Sequence, residues 1–360
     1  MNAKIPTPLT ELSPYPLPPT LQSEPLPGVP LEQPQATSTP YDGPTYYGHP
    51  AVKPAGYGAL VWGYTWVAGL AGSAQIIATL ADFTGRSRYA SLVRNARYLA
   101  SGASIVGPVL LIADLHTPQR WYNMLRIFRK TSPMSIGSYI LTSFSGFTGL
   151  TAIAQFFKSP RRRWTRTLAR AAQLPAGLTG VGMSTYTGSL ISATSSPTWA
   201  AQPRLISARF ACSAMASAAA ALSLSERAFD DARNCDALDN IALVATLAGT
   251  ALSQASENDY RVEGLDGVMH KDSATATYNS LSENLGHLLP LVCFGLAGLA
   301  PKRARGLSAL ASLGILAGGM MMRAGIFRAG NESAKRPQDY FQLTRPERLP
   351  ASEAPAMGDA

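Results

Sequence analysis

Apolar residues along this chain gather into eight runs, at about 57–80, 98–114, 134–157, 171–195, 205–224, 238–256, 284–300 and 307–327. A helix that crosses the hydrocarbon core of a bilayer needs about 20 largely apolar residues. The first, third, fourth and eighth runs meet that length. The second, fifth, sixth and seventh are shorter or rich in Ala and Ser. Any one run, taken alone, reads as well as a buried helix of a soluble protein. Eight in series, separated by short charged stretches, read as membrane helices. A helix satisfies its own backbone in lipid, and no strand-like alternation competes with it. The pattern therefore predicts an all-α polytopic membrane protein with eight transmembrane helices. Pro108, Pro175 and Pro290 fall within or at the edges of those helices, where proline kinks or starts them.

The flanks differ from this middle. Residues 1–50 are rich in Pro, Ser and Thr without periodicity, and are expected to be disordered or draped over a partner. They carry no signal-peptide pattern. Tyr46, Tyr47 and His49 in YYGHP are aromatic enough to suggest docking near the membrane interface. Three regions follow: the 1–50 segment, a membrane domain at 51–330 and a polar tail at 331–360.

Composition sharpens the reading. Of 360 residues, 46% are hydrophobic and only 15% charged, against about 25% charged in soluble domains. The 31 glycines suit close approach of helices in lipid. The net charge of +9 raises the possibility of nucleic acid. Its placement argues against that. One cluster holds Arg86, Arg88, Arg94 and Arg97, a second runs from Lys158 to Arg166, and a third is Lys302, Arg303 and Arg305. Each lies between apolar runs, as interfacial residues do, rather than interleaved with aromatics on one face. The short basic loops are expected on the cytoplasmic side, which would leave both termini periplasmic. Cys212, Cys235 and Cys293 are far apart and read as small buried hydrophobes.

Ionisable residues inside membrane segments are costly and mark candidate chemistry. Asp114 closes the second run beside Arg120 and Arg126, either as an ion-paired loop anchor or as a proton carrier. His287 follows Glu283 by four residues, which shares a face on an α-helix and suits either a proton relay or an interfacial cap cluster. Tyr64, Tyr139 and Tyr186 either line one cavity or pack in the core. Arg323, inside the eighth run, is expected to pair with a buried acid. Residues 257–283 read as an acidic loop. Of the four histidines, only His287 falls within a run, so the facing pair that a b-haem needs is missing. Neither haem nor an iron–sulfur cluster is expected in this chain, and no nucleotide-binding motif is present.

Four stretches resemble the NrfD/PsrC family of membrane subunits: YYGHPAVKP (46–54), DLHTPQRWYNMLRIFRKTSPMSIGSY (114–139), YTGSLISATSSPTW (186–199) and GGMMMRAGIFRAG (318–330). In the second, Asp114, Pro118, Arg120, Asn123, Met124, Pro133, Met134 and Ser135 stand as in the family. The likeness spans roughly residues 45–335. It implies an eight-helix anchor of two four-helix bundles in the bacterial cytoplasmic membrane. It further implies a ferredoxin-like iron–sulfur partner bound to a catalytic subunit that often carries molybdopterin. A quinone or quinol, menaquinone or ubiquinone, would bind near the face toward the iron–sulfur protein. Arg120 and Asn123 would shape that rim, Tyr64, Tyr139 and Tyr186 the cavity, and Asp114, Glu283 and His287 would move protons. The family's histidine near the start of the first helix is represented only by His49. The rival readings are a structural tether without quinone chemistry and a secondary transporter.

Overall fold

The computed structural model describes residues 52–85, 87–157, 163–228, 234–271, 273–300 and 304–344. All of them belong to the unit Asp42–Ala360. The 1–50 segment, with Tyr46, Tyr47 and His49, lies outside the described residues, as do Arg86, Lys158, Arg161, Arg162, Lys302 and Arg303.

The helices run α1 Ala59–Phe83, α2 Ala90–Ala113, α3 Pro133–Phe156, α4 Arg163–Ser192, α5 Pro197–Ala201, α6 Pro203–Ala228 and α7 Cys235–Glu263. They continue as α8 Gly267–Lys271, α9 Ser273–Glu283, α10 Leu289–Leu299, α11 Ala304–Lys335 and α12 Pro337–Leu343. A 3₁₀ segment, Pro118–Leu125, lies between α2 and α3, and a π-helical turn, Asn284–Leu288, joins α9 to α10. The stretch read as an acidic loop, 257–283, is mostly helical. Gly264, at φ +67°, ends α7 in the left-handed conformation that glycine adopts without strain.

Among the described residues, five helices rather than eight are long and apolar enough to cross a membrane: Ala59–Phe83, Ser87–Ala113, Pro203–Ala228, Cys235–Glu263 and Ala304–Lys335. The expectation of eight spans in two four-helix bundles is thereby corrected. The reasons are local. Helix α3 is studded with Ser, Thr and Gly along its length. Helix α4 opens with Arg163, Arg166 and Arg170 and continues through Gln173. The seventh run is interrupted by the π turn, which leaves α10 only 11 residues long. Conversely, α2, α6 and α7 extend well beyond the apolar runs that marked them, so the second, fifth and sixth runs qualify where the third and fourth do not.

Helix α1 is central, packing against α2, α4, α6 and α11, while α6 packs on α7 and α11 on α9 and α10. Small residues set these distances. A Cβ on Gly72 of α1 would lie 2.4 Å from the Gly180 carbonyl oxygen of α4. Close backbone approach of this kind is how helices associate where lipid is as apolar as their side chains. The core between α1, α2, α6 and α7 is correspondingly alanine-rich, with Ala74, Ala78, Ala96, Ala100, Ala218 and Ala219 buried beside Leu222 and Leu238. A second, aromatic cluster holds Trp199, Phe210 and Phe327, and Trp199 donates its indole N–H to the Ile326 carbonyl at 2.8 Å. The Asn331 side chain reaches the Tyr57 carbonyl at 3.4 Å, so the start of α1 and the end of α11 share one end of the molecule.

Of the first basic cluster, Arg97 is not interfacial in the expected sense. It is 4% exposed within the helix packing. Its guanidinium pairs with Asp82 at 3.0 Å and donates to Gln155 and Gln173. Arg323 is wholly buried and makes no ion pair among the described residues, contrary to the acid partner expected for it. It donates to the Ser213 hydroxyl (3.1 Å) and to the Gly319 and Phe210 carbonyls (3.0 and 3.3 Å), and lies over the Phe210 ring. The three cysteines are free.

Candidate functional site

Two cavities lie where α6, α7, α9 and α11 meet. The larger, of about 190 Å³, is lined by Arg209, Glu257, Tyr260, His270 and Glu283 with serines from α7 and α9. The smaller, of about 30 Å³, is lined by His287, Thr246, Gly249, Gly318 and Gly319. Arg209 and Ser282 line both, which makes them the dividing wall.

The π turn follows this wall directly in the chain, beginning two residues after Ser282. Pro290 has no N–H to offer the Gly286 carbonyl four residues back, and its ring crowds that carbonyl in an α-helix. The chain widens instead, and the Leu289 N–H bonds to Asn284, five residues back. The widened turn is seated on glycines of α11. A Cβ on Gly318 would fall 2.1 Å from the Gly286 Cα, and one on Gly314 would fall 2.7 Å from the Leu285 carbonyl oxygen. Glu283 and His287, expected on one α-helical face, thus open into adjoining cavities rather than one.

His287 Nδ1 lies 2.8 Å from the Thr250 hydroxyl, which is itself 2.9 Å from the Thr246 carbonyl. A carbonyl can only accept, so the Thr250 proton goes there and the hydroxyl accepts from Nδ1–H. The ring's Nε2 is then the basic nitrogen. Arg209 donates to the Ser256 and Ser253 hydroxyls, each at 3.2 Å. Tyr260 donates to the Thr198 carbonyl at 2.7 Å. Cationic donors and carboxylate acceptors therefore face one another across a space that can hold a polar ligand edge or a chain of waters.

The remaining predicted residues gather elsewhere, around the α2–α3 connection. Asp114 caps α2 near Gly58 at the start of α1, and makes no ion pair with Arg120 or Arg126 among the described residues. Arg120 and Asn123 are exposed on the 3₁₀ segment. Tyr139 donates to the Leu125 carbonyl at 3.0 Å, and Tyr186 donates to the Pro133 carbonyl across Gly137, whose missing side chain leaves it room. Both hydroxyls tie this connection to the helices. Tyr64 is buried with Phe144 and Met183. None of these three tyrosines lines either cavity at Arg209. The connection presents Trp121, Tyr122, Ile127 and Phe128 to the outside beside its basic residues.

Sequence reasoning missed Arg209, Glu257, Tyr260 and His270. Arg209 sits inside an apolar run, so the argument that singled out Arg323 would have found it. The other three were hidden in the stretch read as a loop.

Residues 51–331 match the family model described as polysulphide reductase, NrfD. The chain belongs to the NrfD family. It is accordingly a multi-pass, membrane-embedded subunit of a quinone-linked oxidoreductase complex. A comparison with curated proteins returns no significant match. In this NrfD chain, no group of three or more His, Cys, Asp or Glu among the described residues is arranged to hold a metal ion.

Proposed function

We propose that this NrfD subunit binds quinone or quinol, menaquinone or ubiquinone, in the bacterial cytoplasmic membrane. It would exchange electrons with a ferredoxin-like iron–sulfur partner, itself joined to a catalytic subunit of the molybdopterin type. The observation that carries the reading is the cavity at Arg209, where a guanidinium, two carboxylates, a phenol and an imidazole share one lining, with Tyr260 buried, Arg209 and Glu257 half-buried and Glu283 and His270 at the exposed mouth. An ionisable group within a membrane-crossing helix, as Arg209 is in α6, is held at a cost that function must offset.

The residues fit the group. Quinol oxidation releases two electrons and two protons, and the quinone ring supplies the redox chemistry. This chain's part is to hold a carbonyl or hydroxyl edge and move protons. Arg209 can donate to a ring oxygen, Glu283 can take a proton in the larger cavity, and His287 can take one at Nε2 in the smaller. Asp114 is a second candidate proton carrier, with Tyr64, Tyr139 and Tyr186 as the alternative cavity lining. The exposed face carrying Arg120, Asn123, Trp121 and Phe128 has the mixed aromatic and basic character of a docking surface for an acidic partner.

The test is quinol-driven reduction of the partner's clusters in the purified complex, comparing wild type with Glu283→Gln, His287→Ala and Asp114→Asn. Slowing by about 100-fold at Glu283 or His287, with assembly intact, is the expected result. Slowing at Asp114 alone would move the proton route to the α2–α3 connection. Clusters indifferent to quinol in the wild type would leave a tether.

A further inference from the structure

At the opposite end of the helices from the candidate quinone site lies a separate cavity of about 490 Å³. It is formed where α1 ends and α2 begins, closed by Gln155 of α3 and by Arg170 and Gln173 of α4. Two candidate membrane spans terminate at its rim, one at Phe83 and the other at Ser87. Its depth is therefore that of a membrane–water boundary.

Two guanidinium groups face this space with one carboxylate. Asp82 is committed to Arg97 at 3.0 Å, and Gln155 and Gln173 occupy further donors of Arg97. That leaves the charge of Arg170 unmatched: its side chain is exposed and has no ion pair or hydrogen bond among the described residues. Ser87 and Tyr89 add hydroxyls to the lining. The same end of the molecule exposes apolar side chains without cover, with Leu80 and Phe83 64% exposed and Phe156 73%. Trp164 is exposed nearby on α4. A net positive polar cavity beside an uncovered apolar and aromatic band matches a molecule with an anionic head and hydrocarbon tails.

We propose that this cavity binds the phosphate of an anionic glycerophospholipid, with Arg170 as its principal contact and the acyl chains lying on Leu80, Phe83 and Phe156. The head is held by the Arg170 guanidinium and the Ser87 and Tyr89 hydroxyls. The Arg97–Asp82 pair sets the floor of the cavity and contributes no net charge. A soluble anion would use the same polar lining without needing the apolar band, which is why the lipid is the favoured occupant.

The full-length chain, purified in detergent and mixed with equal phosphatidylglycerol and phosphatidylcholine, tests this by native mass spectrometry of retained lipid. Phosphatidylglycerol should be retained in preference. Arg170→Ala should lower its retention about fivefold, the effect of one basic side chain at an anionic headgroup, and Arg170→Lys should restore most of it. Arg305→Ala, a basic position at the same end but outside the cavity, should change nothing. Because Arg170 has no partner among the described residues, its loss should leave the unfolding midpoint unchanged. Equal retention of the two lipids, or retention insensitive to Arg170→Ala, would overturn the proposal. So would displacement by excess inorganic phosphate, which would mark a site for a soluble anion instead.

Discussion

Two buried arginines show how differently one residue type can be held. Arg97 is matched by Asp82 and two glutamine side chains. Arg323 has a hydroxyl, two carbonyls already engaged in helices and an aromatic face, and its Nε finds no partner among the described residues. Removing one member of a buried pair strands the other, whereas a buried cation without a counter-charge among the described residues carries a desolvation cost with no Coulombic partner to lose when an apolar side chain replaces it. Arg97→Met should therefore destabilise the detergent-solubilised protein by about 3 kcal/mol, the low end for a buried pair because Asp82 can turn toward solvent. Arg323→Met should leave the thermal unfolding midpoint within error or raise it. A larger loss at Arg323 than at Arg97 would mean that an unseen anion or water completes its shell. Arg323 was recognisable from sequence as a buried cation. What satisfies it was not, because carbonyls and ring faces leave no mark in a residue pattern.

Among the elements, the π turn before Pro290 matters most to the candidate site. It splits Glu283 from His287 and exists because a proline lies four residues after a glycine that packs on Gly318. Gly318→Ala would drive a methyl into the Gly286 backbone. It should lower stability by about 1–3 kcal/mol, the usual cost of overpacking, and displace His287 from Thr250. Gly306→Ala on the same helix meets nothing within 4 Å and should be neutral or stabilising by up to about 1 kcal/mol through helix propensity. Thermal midpoints of the two variants provide the comparison. Quinol-driven rates should fall only for Gly318→Ala. Pro290 was legible as a helix breaker or starter. The π turn was not, since its seat is supplied by a helix some 30 residues further along the chain.

For the whole molecule, the decisive arrangement is antiparallel pairing of α1 and α2 around a short connection at Thr84. Single cysteines at Gly56 and Thr117, in a chain whose own three cysteines are replaced by alanine, should react with a membrane-impermeant maleimide from one face of the membrane. A cysteine at Thr84 should react only from the other. Labelling of all three from one side would remove α1 and α2 from the set of spans. The separation of a titratable cavity near Arg209 from a basic one near Arg170 also belongs to this scale. It follows from helices long enough to carry different chemistry at each end.

The amino-acid pattern by itself determined that the protein is helical, that it belongs in a membrane and that it resembles the NrfD family, because apolar runs and a dense local motif are properties of adjacent residues. It also singled out His287, Glu283 and Asp114 as candidates, because ionisable groups in or beside apolar runs are costly. Only the structure decided that, among the described residues, five helices meet the requirements of a span, since helices such as α2 and α7 outrun their apolar runs while α3, α4 and α10 are too polar or too short. Only packing brought Arg209, Glu257 and His270 to Glu283 and kept Tyr64 and Tyr186 away from them. Which side chains share a cavity depends on how helices far apart in sequence press together, and glycines at Gly72, Gly286 and Gly318 set those distances by what they lack.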